Sequence, residues 1–197
     1  MADRRAVAFG ATAVAVAVVP VALAVTDRHL AGASAALVLS TTAGALAAST
    51  LVVQPLLACG RVIARHQILG AVAFALVLVH VGALFAEAPD DAWFAMSPDG
   101  PTRARMALIA TIAPIALFGV VALGVLRDRL PLGAATWRVL HAYLAVVVIA
   151  LGLGHAVLTD GALDDAGTTV LVLLGALGLL GVLVAHVARA RNARRRA

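Results

Sequence analysis

No lysine occurs in the 197 residues, only ten residues are acidic, and Cys59 is the single cysteine. One cysteine excludes an internal disulfide, a thiolate metal site and an iron–sulfur cluster. Charged residues make up 13% of the chain, against about 25% in a soluble domain. That is too little to solvate a globular surface. No glycine-rich nucleotide fingerprint lies in a strand–turn–helix setting, and no short structural repeat is present. No nucleotide domain is therefore expected in these residues.

What is present is apolar. Hydrophobic residues account for 63% of the chain, and the mean hydropathy is +1.04. The solvent for such a surface is lipid, and the length suits one compact domain. The net charge of +5 comes from arginines in short clusters between long apolar runs. That is a membrane topology signal rather than a nucleic-acid-binding face, so no nucleic-acid partner is expected.

Six apolar runs are legible, at about 6–25, 34–58, 63–85, 106–126, 137–158 and 168–187. Each approaches the ~20 residues that carry a helix across ~30 Å of hydrocarbon. In lipid each must be helical, because nothing there pairs with open backbone groups. Pro20, Pro55 and Pro114 fall inside the runs as tolerated kinks. The first run follows Arg4 and Arg5, and Ala22-Leu23-Ala24 is similar to a signal-peptidase site. It exceeds the about 7–15 apolar residues of a signal peptide, so it is expected to remain as a helix.

With the N-terminus cytoplasmic, twelve arginines lie inside: Arg4, Arg5, Arg61, Arg65, Arg127, Arg129, Arg138, Arg189, Arg191, Arg194, Arg195 and Arg196. Only Arg28, Arg103 and Arg105 lie outside. The positive-inside rule reads this as both termini cytoplasmic, in the inner (plasma) membrane, with multiple passes. The longest connection, Glu87–Arg105, contains Pro89, Pro98, Gly100 and Pro101. It is expected to be an ordered turn rather than a helix, with Trp93 and Phe94 in an outer aromatic belt. The tail after residue 187 is basic and expected to be disordered near anionic headgroups.

Four of the six histidines form a pattern. His66 and His80 lie 14 residues apart on the third run, and His141 and His155 lie 14 apart on the fifth. Fourteen residues turn a helix about 1400°, within ~40° of whole turns, and rise ~21 Å. Each run thus presents both histidines on one face. Because the two runs cross in the same direction, His66 meets His141 near the cytoplasmic side and His80 meets His155 near the outer side. A lone intramembrane histidine is as often a helix–helix hydrogen-bonding residue or a proton relay. The doubled spacing at matched depth favours another use: facing imidazoles are the axial ligands of a haem iron. Two haems are expected, on the pairs His66/His141 and His80/His155.

Nearby residues fit this expectation. Gly60, Gly70, Gly82, Gly152 and Gly154 leave room for a flat macrocycle. Arg61, Arg65 and Arg138 sit at the inner histidine level and suit haem propionates, though positive-inside topology explains them equally well. Arg103 and Arg105 are their outer counterparts. Trp137 is either an edge contact of the inner haem or an interfacial anchor. His29 and His186 are solvated or interfacial, and Cys59 is a small apolar filler.

At these residues the chain resembles the ferric reductase-like transmembrane domain. Arg65-His66-Gln67-Ile68-Leu69-Gly70, followed by Ala73-Phe74 and His80, resembles its third helix. Trp137-Arg138-Val139-Leu140-His141-Ala142-Tyr143, followed by His155, resembles its fifth. The superfamily includes ferric reductases, NADPH oxidases and the haem-binding membrane subunit of the methionine sulfoxide reductase system. The resemblance implies a six-helix core carrying electrons across the membrane through b haems. The oxidases and ferric reductases continue into a flavin and nicotinamide domain. This chain does not, which likens it to the methionine sulfoxide reductase subunit. That subunit typically has Arg where this chain has His66.

The expectation is an all-α six-helix membrane domain over residues 1–187 with a basic tail over 188–197. It would transfer electrons through two haems to an extracytoplasmic acceptor such as ferric iron, oxygen or a redox protein. The donor would be a separate cytoplasmic flavin reductase or a quinol. The alternatives are a haem-plus-flavin subunit serving a periplasmic reductase and a proton-linked transporter with a histidine relay. The near absence of Asp, Glu and Lys in the runs argues against the transporter.

Overall fold

A computed structural model describes residues 30–59, 63–95, 101–158 and 165–194, with the isolated residues 18, 19, 22 and 26. Nearly all of the first apolar run lies outside the described residues, as do His29, Gly60, Arg61 and residues 195–197.

The described chain is all-helical: α1 (Ala35–Cys59), α2 (Ile63–Glu87), α3 (Pro89–Ala95), α4 (Pro101–Val125), α5 (Ala134–Leu158) and α6 (Asp165–Arg194). Three of these are long and apolar enough to cross a membrane: α1 over Ala35–Pro55, α2 over its whole length, and α5 over Ala134–Val157. In α4 the apolar stretch is shorter, Thr111–Val125. Large apolar side chains such as Ile68, Leu78, Ile115, Phe118, Leu173 and Leu177 face outward, a surface suited to lipid.

Local chemistry explains the helix ends. Gly32 takes a positive φ of 82°, which a residue without Cβ adopts freely. The chain then turns into Ser34, whose hydroxyl accepts the Leu37 N–H at 3.1 Å and caps α1. The connection between α4 and α5 is a series of tight turns around Leu126–Leu132, ended by Pro131 and Gly133.

Helix α1 is central. It packs most extensively on α2 and also on α6, while α4 pairs with α5, and α6 closes against α5. Ser40, Ser49, Thr50 and Gln54 of α1 are all buried. Within α1 the Thr42, Ser49 and Thr50 hydroxyls donate to carbonyls one turn back, so no hydroxyl hydrogen needs water. Helix α6 approaches its neighbours through glycines. A Cβ on Gly175 would overlap the Leu153 side chain of α5, and one on Gly178 would stand 3.2 Å from the Val52 carbonyl oxygen of α1. Small residues at such crossings let helices meet where no hydrophobic force between them exists.

Two sequence expectations are corrected. The connection at 87–105 is not a turn throughout: Pro89–Ala95 is helical and α4 already starts at Pro101. Proline is well suited to the first helical position, where its missing N–H has no partner to lose. Trp93 is exposed there and meets Phe85 edge-on, centroids 5.7 Å apart. Phe94's side chain lies outside the described residues. The basic tail is also more ordered than expected, since α6 runs on to Arg194. Arginine is a good helix former and suits the carbonyl end of a helix.

Overpacking costs about 1–3 kcal/mol. Gly175→Val is therefore expected to lower the thermal midpoint of the detergent-solubilised protein. Gly124→Ala, where a Cβ meets nothing within 4 Å, is expected to leave the midpoint unchanged or raise it, since Ala favours a helix by about 1 kcal/mol.

Candidate functional site

The four intramembrane histidines come together as two pairs. The His66 and His141 rings face each other with centroids 6.0 Å apart and planes at 70°. The His80 and His155 rings stand 6.1 Å apart at 69°. Because 66 meets 141 and 80 meets 155, α2 and α5 run parallel, and the two levels are separated by ~21 Å of helix rise. Yet α2 and α5 make few close backbone approaches to each other. The imidazoles reach across a gap between helices that are otherwise held by their other neighbours.

Helix α1 orients the α2 side of each pair. His66 Nδ1 lies 3.2 Å from the Gln54 carbonyl oxygen. His80 Nδ1 lies 2.8 Å from the Ser40 carbonyl oxygen and 3.1 Å from its Oγ. A carbonyl can only accept, so both neutral rings carry their proton on Nδ1 and keep the Nε2 lone pair free. The Ser40 hydroxyl in turn donates to the His80 carbonyl at 2.9 Å. Gly44, one turn from Ser40, admits the His80 ring. A Cβ there would stand 2.9 Å from Nδ1.

The α5 side differs. His141 Nδ1 is buried and has no hydrogen-bond partner among the described residues. Its ring stacks on Trp137, centroids 5.0 Å apart and planes at 14°.

Between the two levels the described interior is mostly apolar, the buried Ser49 and Thr50 of α1 excepted. Ala116, Leu117 and Val148 are buried there, with Leu51, Phe74, Val77, Val120, Val121 and Val147 packed around them. Val148 lies midway between His141 and His155, and the fully buried Ala73 midway between His66 and His80.

The remaining candidates are less engaged. Arg65 and Arg138 are exposed, each beside or one turn from an inner histidine in sequence. Arg103, Arg105, His186 and Cys59 lie on helices, but their side chains fall outside the described residues. Of the glycines expected to make room, Gly82 and Gly152 border open space, Gly70 abuts the Gln54 amide, and Gly154 abuts Ile109. Among the described residues no three of His, Cys, Asp or Glu gather into a metal-holding cluster.

Sequence reasoning missed Ser40, Gly44 and Gln54. One signal was available: Ser40 and Gln54 are themselves 14 residues apart, the same repeat as both histidine pairs. The orienting atoms are main-chain carbonyls, however, which side-chain identity does not announce.

Comparison with known protein families, curated proteins and solved structures gives no match. The chemistry therefore rests on the geometry.

In 15N spectra of histidine-labelled protein, His66 and His80 are expected to show the neutral tautomer protonated on Nδ1. Gly44→Val should abolish that signature for His80 alone by pushing the ring off the Ser40 carbonyl. Ser40→Ala keeps the carbonyl and should retain the signature, with a stability loss of about 1 kcal/mol.

Proposed function

We propose that the chain is a di-haem b-type membrane electron-transfer protein of the ferric reductase-like kind. His66 and His141 ligate an inner haem, and His80 and His155 an outer one. The observation that carries this reading is the pair of facing imidazoles at 6.0 and 6.1 Å. Imidazoles at that separation could both reach one haem iron at metal–nitrogen distances of ~2 Å. A bare zinc ion wants three or four protein ligands. A haem supplies four nitrogens itself and needs only two from the protein, which matches pairs without a third donor.

Each bound haem supplies reversible one-electron iron chemistry at its level. The protein's residues do the rest. The Gln54 and Ser40 carbonyls hold the His66 and His80 rings with Nε2 turned away, and the hydrogen bond at Nδ1 raises the basicity of Nε2. The apolar layer around Phe74, Leu117 and Val148 separates the two levels. Arg65 and Arg138 supply positive charge at the inner level for propionates.

In this reading six helices cross the inner membrane with both termini cytoplasmic, following the arginine distribution. Electrons arrive from a cytoplasmic-side donor, a separate flavin reductase or a quinol, and leave to an extracytoplasmic acceptor.

The test is haem quantification and a reduced-minus-oxidised spectrum of the purified protein. Two haems per chain with b-type bands are expected, and His80→Ala or His155→Ala should reduce the ratio to about one. The near-perpendicular rings, at 70° and 69°, predict a strongly anisotropic low-spin EPR signal from both centres. Colourless protein, or a ratio unmoved by either substitution, would sink the reading. One haem with extractable flavin would turn it to the haem-plus-flavin subunit.

A further inference from the structure

Three of the four histidines can be compared by what holds Nδ1, and His141 stands apart. His66 and His80 each have a carbonyl acceptor on α1. The buried Nδ1 of His141 has none among the described residues. What fixes its ring is the flat contact with Trp137, one helical turn earlier on the same face of α5.

Trp137 is itself locked from α4. Its Nε1–H donates to the Leu123 carbonyl at 2.8 Å. Leu123 lies in the last turn of α4 (Pro101–Val125), where carbonyls have no helical donor left and accept from elsewhere. Two residues beyond the helix end, the guanidinium carbon of Arg127 sits 4.9 Å from the Trp137 ring centroid, within cation–π range. The end of α4, the following turn and the start of α5 thus converge on one imidazole.

The geometry points to Trp137 and Arg127 as a positioning pair for the inner haem site, with Trp137 setting the plane of the His141 ligand and Arg127 raising the reduction potential of that centre more than that of the outer one. This rests on the di-haem reading. A fixed positive charge beside the ligand favours the state holding the extra electron. The outer pair is ~21 Å further along the helices, so distance alone makes the Coulomb effect of Arg127 there smaller. The other charges at this end are Arg65, Asp128, Arg129 and Arg138, exposed like Arg127 itself. None of them has a described contact with the indole.

The experiment uses the full-length haem-loaded protein in one detergent, read by redox titration of the haem bands and by low-temperature EPR. His141→Ala identifies the inner component as the one it removes. Arg127→Gln is expected to lower the midpoint of that component and shift the other less. Arg129→Gln removes the same charge from the same turn without the indole contact, and should shift it less. Trp137→Leu is expected to alter the inner low-spin EPR signal, whereas Trp137→Phe keeps a ring on the imidazole and should retain it. Equal shifts from Arg127→Gln and Arg129→Gln, equal movement of both components, or an inner EPR signal unchanged in Trp137→Leu would overturn the inference. Arg127→Gln and Trp137→Phe leave the α5 backbone and an aromatic ring in place, so the test survives if Trp137→Leu does not fold. Wild-type protein without haem would defeat the underlying reading instead.

Discussion

Two main-chain carbonyls on α1 set the arrangement on which the rest depends. Gln54 and Ser40 accept from His66 and His80, and in doing so settle a tautomer and an orientation at two depths at once. A histidine free to rotate in an apolar interior would present either nitrogen. Held by Nδ1, it presents Nε2 in one direction, away from the α1 carbonyl. The packing of α1 against α2, the most extensive in the molecule, is therefore a precondition of the site as well as a source of stability. Gly44 allows that packing to be close enough for the hydrogen bond to form.

The same constraint explains how polarity is distributed. The buried polar side chains Ser40, Ser49, Thr50 and Gln54 all lie on α1, the helix covered on most sides. The helices bearing histidines have few buried residues; on α2 only Ala73 is buried among the described positions. Unsatisfied polar groups in hydrocarbon cost several kcal/mol each. The Ser40, Ser49 and Thr50 hydroxyls meet this by bonding carbonyls, while the buried Gln54 amide has no hydrogen-bond partner among the described residues.

Much of this was legible in the sequence because helices in lipid obey simple rules. The length of each run follows from bilayer thickness, and the pairing of His66 with His141 and His80 with His155 follows from 3.6 residues per turn applied to two equal spacings. What was not legible has equally physical reasons. Pro89 and Pro101 were read as turn formers, yet proline starts helices as readily as it ends them. The Arg-rich end of α6 looked like a solvated tail, yet its residues continue a helix without penalty. The stack of Trp137 on His141 required knowing that the Leu123 carbonyl would be available, which depends on where α4 ends. The role of α1 was hidden because its working atoms belong to the backbone.

The 14-residue spacing also has an electrical meaning. The ~21 Å rise between levels is about 0.7 of a ~30 Å hydrocarbon layer, so a unit charge moved from one pair to the other crosses most of the membrane field. At ~2.3 kcal/mol per 100 mV for the full field, that is about 1.6 kcal/mol per 100 mV. With the interior negative, the field pushes an electron outward. Under the proposed function, a cell's resting voltage would then bias the two centres towards discharge at the outer face, and the step would in turn depolarise the membrane.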